Sequence, residues 1–424
     1  MKRFCIILTL AASLAPCFAF AAVTDSQLDQ LRAEFSALAQ RVQVLEQENS
    51  KLKQLVGQDA PVLAVEPAQP ATRSAQAALP DSWSERISIA GDFRYRYEEI
   101  DIEGLELRDR NRIRARAEIK ARLPYDLVVG TGLASGGDDP VSSNQTLGGA
   151  GSRKDLHLNL AYVRWQPSEE FFLSAGKMKN NFYRPGKSGL LWDNDYNPEG
   201  LGAQWSNDLL FVTGAVNMLE SDSNRRNQQV SWGVQAGLNG SLGPVSVTTG
   251  LGYFDVPIAG DETFFGDADN FYGNSFACAD PQGLDGCVYL YDYEQLEWFV
   301  EMGMDVFDLP LKVYADGVKN RAVDDFDSGW LVGLSLGKAK QRGSWQIGYE
   351  YQDLEADAVF GLVSDSDFAG GGTDGKGHKL FGAYALHPKV QLSVTYFLNN
   401  ETGENRRGDG LDYDRLMLDA SFKY

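Results

Sequence analysis

After its first twenty residues the chain has no long apolar run. A helix that crosses a bilayer needs about 20 mostly apolar residues, and the mean hydropathy is -0.31, so a bundle of membrane helices is excluded. Histidine is scarce: His157, His378 and His387 lie far apart and form neither a ligand pair nor a catalytic dyad. No Ser/His/Asp order and no paired carboxylates ask for catalysis, which argues against an enzyme, and nothing implies a cofactor. Basic residues are outnumbered, 39 Lys and Arg against 59 Asp and Glu for a formal net charge of -20, and such acidity disfavours nonspecific nucleic-acid binding. Asp193-x-Asp195, Asp267-x-Asp269 and Asp324-Asp325-x-Asp327 offer oxygens, but without the Gly and Glu spacing of an EF-hand they read as solvated loop acids, and no metal is expected.

What is present begins with an export signal. Lys2 and Arg3 precede FCIILTLAASLA, and Ala19-Phe20-Ala21 supplies the small residues a signal peptidase reads, so residues 1–21 are expected to be removed. Cys5 and Cys17 leave with them. Cys278 and Cys287 then form the one pair of a chain exported to an oxidising compartment, and they read as a disulfide closing CADPQGLDGC.

Residues 22–57 carry a heptad seam. Leu28, Leu31, Phe35, Leu38, Val42, Leu45, Asn49, Leu52 and Val56 alternate spacings of three and four, the pattern of a coiled coil, with Asn49 as the polar residue that fixes register. A helix this short needs partner helices, most simply copies of itself, so a periplasmic homotrimer is the expectation. Residues 58–82 are rich in Pro, Ala and Gln and read as a semi-rigid linker.

From residue 83 to residue 424 the period becomes two. Ile87, Ile89, Gly91, Phe93, Tyr95 and Tyr97 share one face, Ile113 to Leu123 repeat the alternation, and the chain ends on Leu416, Leu418, Ala420, Phe422 and Tyr424 along a single face. About sixteen such segments stand between turn signals, an even number that returns both ends to one side of a membrane. Their connections alternate in length. Tight ones such as Leu123–Asp126, Gln166–Glu169 and His387–Lys389 take turns with long polar ones such as 135–155, 180–199, 255–288, 353–376 and 399–411. This alternation is the mark of an outer-membrane barrel with short periplasmic turns and long outer loops. The expected fold is an all-β transmembrane barrel of about sixteen antiparallel strands, preceded by a short α-helical coiled coil.

The stretches GDFRYRYE, NRIRARAEIKARL, SNQTLGG and GKMKNNFYRPGKSGLLWDNDYNPEGL resemble the putative porin family of Gram-negative outer membranes, many members of which begin with a short coiled coil. The resemblance implies a pore through the outer membrane.

Parity then assigns the walls. With Ile113 and its companions toward lipid, Arg94, Arg96, Arg112, Arg114, Arg116, Lys120 and Arg122 face the lumen as a basic wall, since each Arg or Lys at the lipid midplane would cost about 2–4 kcal/mol. By the same rule Glu297, Glu301 and Asp305 form an acidic wall on a distant strand. The loop 180–199 is expected to fold inward and bring Asp193, Asp195 and Glu199 opposite the arginines, making a constriction with a transverse field. The reading is a bacterial outer-membrane porin in contact with lipid, passing small hydrophilic solutes and ions by passive diffusion. Its rivals are an anion-specific channel and a structural tether or adhesin whose coiled coil contacts the cell wall.

Overall fold

The computed structural model describes residues 83–221, 228–268, 270–280 and 285–424. The signal segment, the heptad seam with Asn49 and the linker lie outside the described residues.

A 3-10 turn, Trp83–Arg86, leads into sixteen barrel strands: β1 Ile87–Ile102, β2 Arg108–Leu123, β3 Leu127–Ser135, β4 Leu156–Trp165, β5 Phe171–Lys177, β6 Glu199–Ser206, β7 Leu210–Glu220 and β8 Gln229–Leu242. The second half comprises β9 Val245–Val256, β10 Tyr293–Val306, β11 Leu309–Asn320, β12 Ser328–Gly337, β13 Trp345–Leu354, β14 Gly375–His387, β15 Val390–Thr402 and β16 Leu411–Lys423. Each strand pairs antiparallel with its sequence neighbours, and β1 pairs with β16 from Asp92↔Lys423 to Ile102↔Tyr413. The sheet is therefore closed and has no free edge, which is how strands satisfy their backbone groups in lipid.

Period-two alternation decides the two surfaces. Ile89, Ile119, Leu201, Leu251, Trp298, Trp330, Ile347 and Leu418 are exposed on the outer face, where hydrocarbon is their favourable solvent. The inner face carries the charged and polar partners. At one end the connections are short; the two-residue turn Phe307-Asp308 has positive φ at both positions, the type I′ geometry that matches strand twist. At the other end lie the loops 136–155, 178–198, 257–292 and 355–374.

Those loops do not all stay outside. In the 178–198 loop, Phe182, Leu190, Leu191 and Trp192 are buried, and in the 355–374 loop so are Val359, Phe360, Leu362 and Val363. They join inner-face residues of β9 to β13, among them Phe254, Tyr293, Tyr314, Leu331 and Leu354, in one apolar cluster inside the barrel. Phe182 and Trp192 each meet Phe254 edge to face, with centroids 4.8 and 5.2 Å away. The 257–292 loop contributes Phe271 and Tyr289 to the cluster and contains a hairpin, Phe276–Asp280 with Asp285–Tyr289, in which Cys278 and Cys287 are joined as a disulfide. The loops are thus seated on hydrocarbon side chains inside the barrel, each worth about 1.5–3 kcal/mol when fully buried.

Candidate functional site

The wall built by β1, β2 and β16 carries charges at most of its inward positions, beside the buried Ile100, Tyr413 and Met417. Register sets Arg94 opposite Arg114 and Arg96 opposite Arg112, so like charges would face each other across the ladder unless acids intervened. They do. Asp92 of β1 holds Arg114 at 3.0 Å and Arg116 at 2.8 Å. Asp419 of β16 accepts two bonds from Arg96, at 2.7 and 3.0 Å, the paired geometry that suits a guanidinium. Glu98, 0% exposed, takes Arg415 at 2.6 Å, Arg110, and Arg112 at 3.6 Å.

Two further acids come from the inward loops. Asp195 of the 178–198 loop reaches Arg116 at 2.8 Å and Arg114 at 3.3 Å. Asp367 of the 355–374 loop reaches Arg415 at 2.8 Å and Arg96 at 3.1 Å. The two loop tips are also tied to each other: the Asp193 N–H donates to the Val363 carbonyl, and Ser366 donates its N–H and its hydroxyl to Asp193 Oδ2 at 2.9 and 3.0 Å. Between the tips and the wall lies a polar gap of about 190 Å³, bordered by Arg94, Arg96 and Arg114 on one side and by Asp193, Asp195, Asp365 and Asp367 on the other. Lys379 of β14 borders it as well and pairs with Glu350 at 2.8 Å.

The loop acids experience opposite environments. Burial, with Asp365 and Asp195 close by, pushes the Asp193 carboxyl well above the usual carboxylate range. Burial also raises Asp365, against the pull of Lys379. Burial works the same way on Asp367, but Arg415, Arg96 and Arg94 overcome it and hold that carboxyl far below the usual range.

The structure brings together some of the residues singled out from the sequence and separates others. Arg94, Arg96, Arg112, Arg114 and Arg116 stand together on the inner wall, and Asp193 and Asp195 stand beside them. Lys120 pairs with Glu118 lower on β2, toward the short-turn end, and Arg122 is exposed near the turn that follows. Glu199 is a correction: it opens β6 on the same face as the exposed Leu201, where it pairs with Lys177 and does not approach the arginines. The acidic wall is a second correction. Glu297 is 1% exposed beneath the 178–198 loop, where Gln235 Nε2 donates to it at 2.7 Å. Glu301 accepts from the Gly186 N–H at 2.7 Å and pairs with Lys312. Asp305 alone of the three is exposed, near the Phe307-Asp308 turn. The inward loops cover this side, so parity was right and accessibility was not. Asp367, Asp365, Asp419 and Arg415 were not singled out; the sequence signal for the loop pair was the apolar run Val359 to Val363 inside an acidic loop.

Among solved structures the fold is similar to OprB of Pseudomonas putida, at 12% identity and a TM-score of 0.52, covering 80% of this chain and 95% of that one. OmpT of Vibrio cholerae in its trimer form (13% identity, TM-score 0.47, 80% and 99% covered) and Salmonella typhi OmpF in complex with daunomycin (13%, 0.48, 80% and 97%) are also similar. No curated protein matches the sequence. The family described as "Putative porin" matches residues 103–260 and 291–424, most of the described barrel. The match, together with the closed barrel and its apolar outer belt, places this chain in that family: it is a porin of the bacterial outer membrane.

Proposed function

We propose that this porin passes small hydrophilic solutes and ions by passive diffusion, along a water-filled path narrowed between the arginine wall and the acidic tips of the 178–198 and 355–374 loops. The observation that carries the reading is the 190 Å³ gap itself, with arginines on one border and four loop carboxylates on the other. Opposed charges across a narrow, weakly screened space set up a transverse field, which orients dipolar solutes and disfavours apolar ones. The heptad seam from Leu28 to Val56 supports a homotrimer held by a periplasmic coiled coil after removal of residues 1–21.

Planar-bilayer recording of the folded mature protein in a salt gradient tests the reading. Stepwise closures in threes are expected, and Arg114→Ala with Arg116→Ala should move the reversal potential toward cation preference, because Asp92 and Asp195 then lose their counter-charges. An unchanged reversal potential would remove these arginines from the path, and absence of any conductance would remove the open pore.

A further inference from the structure

The chain that leaves β3 turns inward before it becomes an outer loop. β2 pairs with β3 only from Arg116↔Ala134 to Leu123↔Leu127, and farther along β2 the partners of Ile113 and Arg112 are Gln145 and Thr146. Residues 136–144 leave the sheet between those two pairings as a strap. Ser135 makes the corner: its Oγ accepts from the Ala115 N–H at 2.8 Å and donates to the Ser143 carbonyl at 3.0 Å. Gly136, at φ +117°, lies so close to the returning limb that a Cβ there would stand 2.9 Å from Ser143 Cα. The crown of the strap reaches the loop tips. Val141 and Ser143 are buried, Ser143 Oγ donates to Asp195 Oδ2 at 3.3 Å, and the Ser366 hydroxyl lies 3.2 Å from the Val141 carbonyl. Val141 and Asn144 border the 190 Å³ gap.

Asn144 is where the strap meets the wall. Its Nδ2 donates to Ser142 Oγ at 3.2 Å, which aims Oδ1 outward, and Arg94 Nη2 donates to that Oδ1 at 2.5 Å. Of the three arginines that border the gap, Arg94 is the least compensated. Arg96 holds Asp419 and Asp367, and Arg114 holds Asp92 and Asp195, none of them farther than 3.3 Å. Among the described residues Arg94 has one ion pair, with Asp419 at 3.9 Å, and Asp419 already accepts two closer bonds from Arg96. Register also sets Arg94 opposite Arg114, and like charges directly opposite repel. A carboxylate placed here would cancel the guanidinium; an amide oxygen holds it and leaves the charge in force. We propose that the strap 136–144 is the third side of the constriction, and that Asn144 is a positioning residue for ion selectivity, keeping the uncancelled charge of Arg94 at the gap. The proposal rests on the conduction reading above and names the pair of residues that biases the path toward anions.

Reversal potentials of the folded porin in planar bilayers, taken in a salt gradient, test it by a double-mutant comparison. Arg94→Gln should shift the potential toward cation preference. Asn144→Leu has nearly the same size but no acceptor, and should give part of that shift as the guanidinium turns away. In the Arg94→Gln background Asn144→Leu should add nothing, because no guanidinium is left to release; a strap that is merely displaced would move the potential in both backgrounds. Asn144→Asp keeps the tether and cancels the charge, so it should match Arg94→Gln. No shift in Arg94→Gln or in Asn144→Leu, or an equal effect of Asn144→Leu in both backgrounds, would overturn the proposal. If Arg114→Ala with Arg116→Ala moves the potential and these variants do not, the conduction reading stands without it; if none of them does, both fall.

Discussion

The side-chain amide of Gln235 accepts from the Tyr183 N–H at 2.7 Å and donates to the Tyr183 carbonyl at 2.9 Å, while the same Nε2 donates to Glu297. One side chain thereby satisfies a loop's backbone as a neighbouring strand would, and gives a buried carboxylate its donor. Gln235→Leu conserves volume but orphans three groups, at about 1–3 kcal/mol for each that stays dry. The expected outcome is a lower thermal midpoint, with rapid current fluctuations as the 178–198 loop leaves its seat; a quiet, wild-type trace would show that the apolar cluster alone holds it. Nothing in the sequence marked Gln235, because a polar residue on an inward-facing position is what every barrel strand supplies. The arginines were legible for the opposite reason: a ladder of Arg112, Arg114 and Arg116 on the lipid face is so costly that only one parity survives. Parity also placed Glu297 and Glu301 inward, but it carries no information on what covers them.

At the scale of elements, the strands and short turns were readable from period two and turn residues, since each is decided by a few consecutive positions. The segments near Phe171, Leu209 and Phe381 were not, and contacts now assign them: Phe171 packs edge to face on Trp165 outside, Leu209 is exposed in a turn, and Phe381 lies inside near Lys379. The seating of the 355–374 loop was missed because its acids dominate its composition, although its apolar run is the part that is buried. That seating gives the gap a pH response. Asp193 and Asp365 have raised carboxyl values, so their protonated forms favour the folded loop pair. The stabilisation is complete below the ordinary carboxylate value of about 4 and is lost as pH rises through the raised values. As pH falls through those raised values the gap also gains positive charge, because Asp367 and its arginine partners keep theirs. Reversal potentials measured from pH 8 down to pH 4.5 should therefore drift toward anion preference, and Asp193→Asn with Asp365→Asn should flatten the drift. A drift of the same size in that double variant would assign the titration to other acids.

For the whole molecule, the net charge of -20 is spread unevenly along the barrel axis. The 257–292 and 355–374 loops contain no Lys or Arg, and their acids include Asp261, Glu262, Asp267, Asp292 and Glu355. At the other end the short turns carry acids as well, Asp126, Glu169, Glu170, Asp208 and Asp308, and the basic part is the lower lumen, where the charges of Lys338 and Lys423 bear on Lys187. The outer mouth thus gathers cations and the lower lumen gathers anions, with the narrow gap between them. When the periplasmic side is held negative, cations enter the gap from the end that concentrates them and anions from the end that concentrates those, so both carriers accumulate where the resistance is greatest. With the opposite polarity both are drawn out of it. The open-channel current at 0.1 M salt should therefore be larger with the periplasmic side negative, in channels inserted in one orientation. Screening decides whether the cause is this charge pattern, since the Debye length shrinks from about 10 Å at 0.1 M to about 3 Å at 1 M. The asymmetry should fade over that range, and it should also fall in Lys187→Gln with Lys423→Gln, which thin the basic end without touching the gap. An asymmetry that persists at 1 M would have to arise from loop movement under the field, and the axial charge pattern would lose its role in conduction.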